Sequence, residues 1–154
     1  KAVSYPAPTA LAATMLPQYY LQTHGLNINT EIENKYVGSQ ESSIMNVFSG
    51  TVAAGATWPP PWEALTDENP ELKKQIKVIW QTQSLPNNSV VVRDDIPQNI
   101  AIQVQNLIVN LHKTSEGQEI LQGMYLSQFE KADNNTYETV KKFIDNFEQT
   151  VRPL

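Results

Sequence analysis

The amino-acid sequence predicts an α/β fold with a mainly parallel sheet. Two observations support this fold class: short apolar strands alternate with helical segments in the first half of the chain, and the last third shows helical periodicity alone. We predict strands at 2–5, 31–37, 51–56, 76–80 and 89–93. This order is typical of a three-layer α/β/α lobe with a mixed, mainly parallel sheet, followed by C-terminal helices.

The first predicted strand, 2–5, is closed by a Pro-Ala-Pro turn. Thr9 follows as a candidate N-cap for a helix over 10–22, because its hydroxyl can accept a hydrogen bond from a free amide of the first turn. Pro17 lies inside this helix and should kink or divide it, since proline lacks a backbone N–H.

The second and third units follow the same scheme. Gly38 and Ser39 form a turn and cap after the strand at 31–37, and helix 40–48 places Ile44, Val47 and Phe48 on one face. Small residues in the strand at 51–56 allow close packing. The segment 57–62 contains three consecutive prolines and is predicted to be a rigid loop, followed by short helical pieces at 63–65 and 70–75.

Helices make up the rest of the chain after the two valine- and isoleucine-rich strands. Pro97 is predicted to be the first residue of a helix. The helix after it carries an apolar stripe, which is formed by Ile100, Val104, Leu107, Ile108 and Leu111. Further helices are predicted at 115–121 and at 137–151, the latter with Phe143 and Phe147 on its apolar face.

Composition excludes several classes of protein. The chain has 154 residues and a formal net charge of −5, which disfavours nucleic-acid partners because these require clustered basic residues. Cysteine is absent, so disulfides and thiolate chemistry are excluded. No signal peptide is visible, and the sequence enters a strand at once. We therefore expect a mature fragment whose upstream sequence has been removed.

Ligands of open parallel sheets bind beyond the carboxyl ends of the strands. Three predicted loops occupy that position: 6–10, 38–41 and 57–62. The first two lead directly into helix N-termini, where unpaired backbone amides and the helix dipole favour an anion. The two tryptophans of the third loop could form an aromatic wall for a ligand or could close the edge of the core.

Ten short segments together resemble phosphonate-type periplasmic solute-binding proteins of ABC transporters: the first four resemble the second lobe, the next three the returning strands and the last three the C-terminal helices. They are Pro8-Thr9-Ala10, 17–20, 37–42, 55–57, 78–80, 85–88, 90–93, 117–121, 129–133 and 137–140. The resemblance implies that 1–84 is the ligand-binding lobe two, and that 85–154 holds a returning strand and C-terminal helices belonging to lobe one. The first half of lobe one would then be missing.

The resemblance implies an extracytoplasmic protein, with or without a lipid anchor, that captures a phosphonate- or phosphate-like oxyanion for an ABC permease. The alternative is the sensor domain of a membrane receptor such as a histidine kinase. Residues expected to contact the ligand are Thr9, Ala10, Ser39, Gln40, Thr57, Trp58 and Asn88. Local roles compete with this function, because Thr9 and Ser39 suit helix caps and Asn88 suits a turn.

The sequence also departs from the family pattern. Pro8-Thr9-Ala10 keeps one hydroxyl of a Ser-Thr-Ser-like cluster, and Gln40 stands where the family often has histidine. No acidic residue lies between Thr57 and Trp62, so the ammonium group of an aminoalkyl phosphonate would lack a counter-charge. No nucleophile–base pair, metal-ligand spacing or cofactor-binding glycine loop is present. We therefore expect neither an enzyme nor a bound metal or cofactor.

Overall fold

The computed structural model describes residues 1–154, which fall into two compact units. The first unit contains residues 1–85 and 139–154, and the second contains 86–138. The predicted boundary after residue 84 lies beside the observed one. However, 85–154 was predicted as one segment, and the structure packs its last sixteen residues within the first unit. The assignment of either segment to a family lobe remains a prediction.

A three-stranded parallel sheet forms the centre of the first unit. Its strands are β1 (Ala2–Tyr5), β2 (Glu33–Tyr36) and β3 (Ala54–Gly55), in the spatial order β2-β1-β3. The first strand has the predicted bounds, and the other two are shorter than predicted. The α/β fold class with a parallel sheet is therefore confirmed.

Six helical segments accompany this sheet. They are a π-helical turn (Leu11–Met15), α1 (Leu16–Thr23), α2 (Gln40–Phe48), α3 (Pro59–Glu68), α4 (Pro70–Gln75) and, from the end of the chain, α7 (Glu138–Thr150). Pro17 lies in the first turn of α1 and so divides the predicted helix as expected. The bounds of α2 agree with the prediction at both ends.

The main core of the first unit is formed where α7 packs against α1. Phe147 is fully buried and Phe143 nearly so, in one cluster with Met15, Leu16, Leu21, Ile28 and Val151. The Phe143 ring meets Tyr19 edge-on, with ring centroids 5.5 Å apart. Burial of each phenylalanine contributes about 1.5–3 kcal/mol, so α7 is a major source of stability for the unit.

The two later strands were predicted wrongly. Residues 76–80 and 89–93 carry no secondary structure, and their apolar side chains are exposed, with Val78 68% and Val91 82% accessible. A β-branched apolar run forms a strand only when a neighbouring strand accepts its backbone hydrogen bonds. The described residues provide no such partner to either run.

The second unit is helical, with α5 (Gln98–Val109), α6 (Ser115–Gly123) and two short 3₁₀ turns at Leu111–Lys113 and Asn135–Tyr137. Pro97 is the N-cap of α5 rather than its first residue. No residue of α5 is buried, and Leu107 in its apolar stripe is 71% exposed, whereas Ile44 in α2 is 4% exposed. The stripe therefore packs less completely than the face of α2. No helix is both long and apolar enough to cross a membrane.

Candidate ligand-binding site

Three strand ends meet at one edge of the sheet. Tyr5 at the end of β1 is in register with Tyr36 at the end of β2, and Ser4 is in register with Gly55 at the end of β3. The three predicted loops therefore start side by side. The first two are also joined, because Gly38 N donates to Pro6 O at 2.8 Å.

The first loop presents Thr9 differently from the prediction. Ala10, not Thr9, is the N-cap residue of the helical segment, and no side chain caps it, so the N-cap prediction for Thr9 is wrong. The reason is a tight turn in which Ala10 N donates to Ala7 O at 3.2 Å. Thr9 is left exposed, with its hydroxyl free of hydrogen bonds in the structure.

Backbone donors lie just beyond this turn. The first intrahelical hydrogen bond runs from Thr14 N to Ala10 O, at 2.9 Å. The amides of Leu11, Ala12 and Ala13 precede it and lack an intrahelical acceptor. They, rather than the engaged amide of Ala10, are the donors that this helix end can offer to an anion.

The second loop uses a left-handed glycine and a serine cap. Gly38 has φ +87°, a backbone conformation that is strained for any residue with a side chain. Ser39 accepts from Ser42 N at 3.0 Å, so its predicted capping role is confirmed. The amides of Gln40 and Glu41 lie in the first turn of α2 and remain available to a ligand.

Gln40 connects the second loop to the third. The Thr57 hydroxyl donates to Gln40 Oε1 at 3.1 Å. With its oxygen occupied, the Gln40 side-chain amide keeps its two N–H donors free, and these are suited to an oxyanion. The structure thus brings together two of the residues that the sequence nominated separately.

The third loop is shorter than predicted, because Pro59–Glu68 is helical. Pro59, Pro60 and Pro61 fill the first three helical positions, where a missing N–H breaks no helical hydrogen bond. This helix end consequently lacks the amide donors found at the other two. This loop offers a ligand the half-buried side chain of Trp58, because the Thr57 hydroxyl already donates its proton to Gln40.

A buried serine network holds α2 against the strands, and sequence reasoning missed it. The Ser4 hydroxyl donates to Ser43 O at 2.8 Å. The Ser43 hydroxyl lies 3.0 Å from Ser4 O and 2.8 Å from Ala56 O. Because α2 carries Ser39 and Gln40, this network sets where those residues stand relative to the ends of β1 and β3. The sequence signal for this network was limited to two small polar residues, Ser4 and Ser43, among the residues of a strand and a helix face.

Two tyrosines, Tyr5 and Tyr36, are the last residues of β1 and β2 at this edge of the sheet. Gln18 donates to Tyr36 Oη at 3.1 Å and to Asn34 Oδ1 at 3.2 Å, which ties α1 to β2. Tyr5 is fully buried and its hydroxyl has no partner. Burial, and to a lesser degree the neighbouring Tyr36, raises the pKa of Tyr5 well above its usual value, so it is a neutral phenol at neutral pH.

Asn88 belongs to the second unit, in an exposed stretch without secondary structure. The carbonyl of the preceding residue, Asn87, accepts from the Tyr137 hydroxyl at 3.0 Å. A ligand-binding role for Asn88 remains a prediction.

Comparison with known proteins agrees with the fold. A family model described as "ABC transporter, phosphonate, periplasmic substrate-binding protein" matches residues 1–137. The chain therefore belongs to this family of periplasmic binding proteins, and the resemblance found in the sequence is confirmed. No curated protein sequence matches it.

Two solved structures are similar over 97% of the chain. A binding protein component of an ABC phosphonate transporter from Pseudomonas aeruginosa superposes with TM-score 0.85 at 17% identity. PhnD1 from Prochlorococcus marinus, in complex with methylphosphonate, superposes with TM-score 0.83 at 20% identity. The chain spans 50% and 57% of these structures, so it corresponds to about half of each.

Proposed function

We propose that the chain is the ligand-binding lobe of a periplasmic binding protein and holds a phosphonate- or phosphate-like oxyanion for an ABC importer. One observation carries this proposal: two helix N-termini with free amides, together with the Thr57–Gln40 pair, meet at one sheet edge. The free donors there can bind an oxyanion without a contacting lysine or arginine. Membership of a transporter family supports import over the sensor alternative.

The proposed ligand is a small phosphonate without an amine. The tetrahedral oxyanion would accept from the amides at the starts of the first two helical segments, from the Gln40 side chain and from Thr9. A short alkyl group would lie against Trp58. No carboxylate occurs from Thr57 to Trp62 to balance an ammonium group, so we expect methylphosphonate to bind more tightly than 2-aminoethylphosphonate.

The partners and location follow from the same proposal. The binding protein would deliver its ligand to a membrane permease from the periplasmic side. Cell fractionation of the intact protein tests this location, and extraction with detergent tests for a lipid anchor.

Calorimetry on the intact protein with methylphosphonate, phosphate and 2-aminoethylphosphonate tests the site. Thr9→Ala combined with Gln40→Ala should weaken binding at least about tenfold, since each lost charge-assisted hydrogen bond contributes about 1.5–3 kcal/mol. The matched control is Thr30→Ala with Gln75→Ala, which changes the same residue types at exposed positions outside the three loops. Unchanged affinity in a folded double variant would place the ligand elsewhere.

A further inference from the structure

The residues after α7 return to the first ligand loop. Arg152 Nη2 donates to the carbonyl oxygen of Pro8 at 2.5 Å. The guanidinium also lies over the Phe147 ring, 5.2 Å from its centroid. Arg152 is half-buried, and its Nε is buried without a hydrogen-bond partner. A cation from the end of the chain therefore stands beside the loop that carries Thr9.

Three consecutive backbone carbonyls of this loop each accept a hydrogen bond from another part of the protein. Pro6 O accepts from Gly38, Ala7 O accepts from Ala10, and Pro8 O accepts from Arg152. All peptide bonds are trans, so each carbonyl and the N–H that follows it point in opposite directions. Anchoring the Pro8 carbonyl on Arg152 therefore turns the Thr9 N–H to the other side, where the structure gives it no acceptor.

Arg152 also changes the charge near the loop. Between residues 6 and 58 the one lysine or arginine is Lys35, which pairs with Glu33 at 3.4 Å. The guanidinium of Arg152 supplies a positive charge next to the first loop. A nearby cation favours a bound oxyanion over a neutral ligand.

We propose that Arg152 is a positioning residue for the oxyanion site. It fixes the Pro8–Thr9 peptide so that the Thr9 N–H is presented as a donor, and its charge attracts the anion without contacting it. This inference rests on the function proposed above, and it assigns to the end of the chain a role in the specificity of the site.

A purely structural role, in which Arg152 only covers Phe147, makes different predictions. Arg152→Met keeps an aliphatic stem over the ring but removes both the donors and the charge. Arg152→Lys keeps a charge and a donor in a different shape. Arg93→Met is the matched control, because Arg93 pairs with Asp95 in an exposed segment.

Calorimetry with methylphosphonate and amide NMR of the intact protein test the proposal. We expect Arg152→Met to weaken binding about tenfold, Arg152→Lys to stay within about threefold of wild type, and the control to bind normally. In the ligand-free protein, the Thr9 amide signal should shift in Arg152→Met and remain close to wild type in Arg152→Lys.

Normal binding and an unshifted Thr9 amide in Arg152→Met would overturn the proposal. Equal losses of affinity in the Met and Lys variants, together with lower thermal stability, would overturn it in favour of packing alone. If the wild-type protein binds none of the oxyanions, the proposed function fails, and the Thr9 amide signal alone decides whether Arg152 orients the loop.

Discussion

Gly55 is the position where one added methyl group should disturb the site most directly. A Cβ at this residue would lie 2.7 Å from Ser43 O, 2.7 Å from Val47 Cγ2 and 2.8 Å from Ser4 Oγ. The first of these atoms belongs to the backbone of α2 and cannot rotate away. Gly55→Ala should therefore push α2 from the sheet and strain the serine network.

The expected cost is that of overpacking a filled core, about 1–3 kcal/mol in the free energy of unfolding. Urea unfolding of the intact protein, followed by circular dichroism, measures it. Because α2 carries Ser39 and Gln40, methylphosphonate affinity should fall in parallel. Gly123→Ala is the control: an added Cβ there meets no atom within 4 Å, and alanine is the better helix former. Equal stability of the Gly55→Ala and wild-type proteins would refute the close approach of α2 to β3.

Two further substitutions test the core. Phe147→Ala should lower the free energy of unfolding by about 3–5 kcal/mol, because it empties the centre of the α1–α7 contact, and a loss below 1 kcal/mol in urea unfolding would contradict that packing. Tyr5→Phe should keep or raise stability at pH 7, since the buried hydroxyl has no partner. The raised pKa of Tyr5 means that the unfolded chain loses this proton first, so wild-type stability should fall as the pH rises above about 10, and less steeply in Tyr5→Phe. Parallel pH profiles would show that Tyr5 does not titrate as described.

Elements defined by neighbouring residues were predicted well. Both ends of helix α2 were predicted correctly, because Gly38, the Ser39 cap and the apolar spacing are all local signals. The division at Pro17 is equally local. The three consecutive prolines at 59–61 predict a loop, and this prediction is wrong because the first turn of a helix tolerates proline.

Features that depend on distant residues could not be predicted. The runs at 76–80 and 89–93 have strand-like sequences, but a strand needs a partner that sequence periodicity does not reveal. The contact of Arg152 with Pro8 joins residues 144 positions apart. The Ser43 hydroxyl donates to the carbonyl oxygens of Ser4 and Ala56, which lie 39 and 13 positions away in the sequence.

The distribution of donors suggests how a ligand would be oriented in the site. The starts of the first helical segment and of α2 offer free amides, whereas the start of α3 offers none because its first three residues are prolines. An oxyanion should therefore lie towards the first two loops, where its charge is balanced. The organic substituent should then point towards Trp58, whose ring can bury an alkyl group and cannot solvate a charge. We therefore expect calorimetry to show tighter binding of methylphosphonate than of phosphate, because inorganic phosphate would place a hydroxyl or an oxyanion against the indole; equal affinities would contradict this orientation.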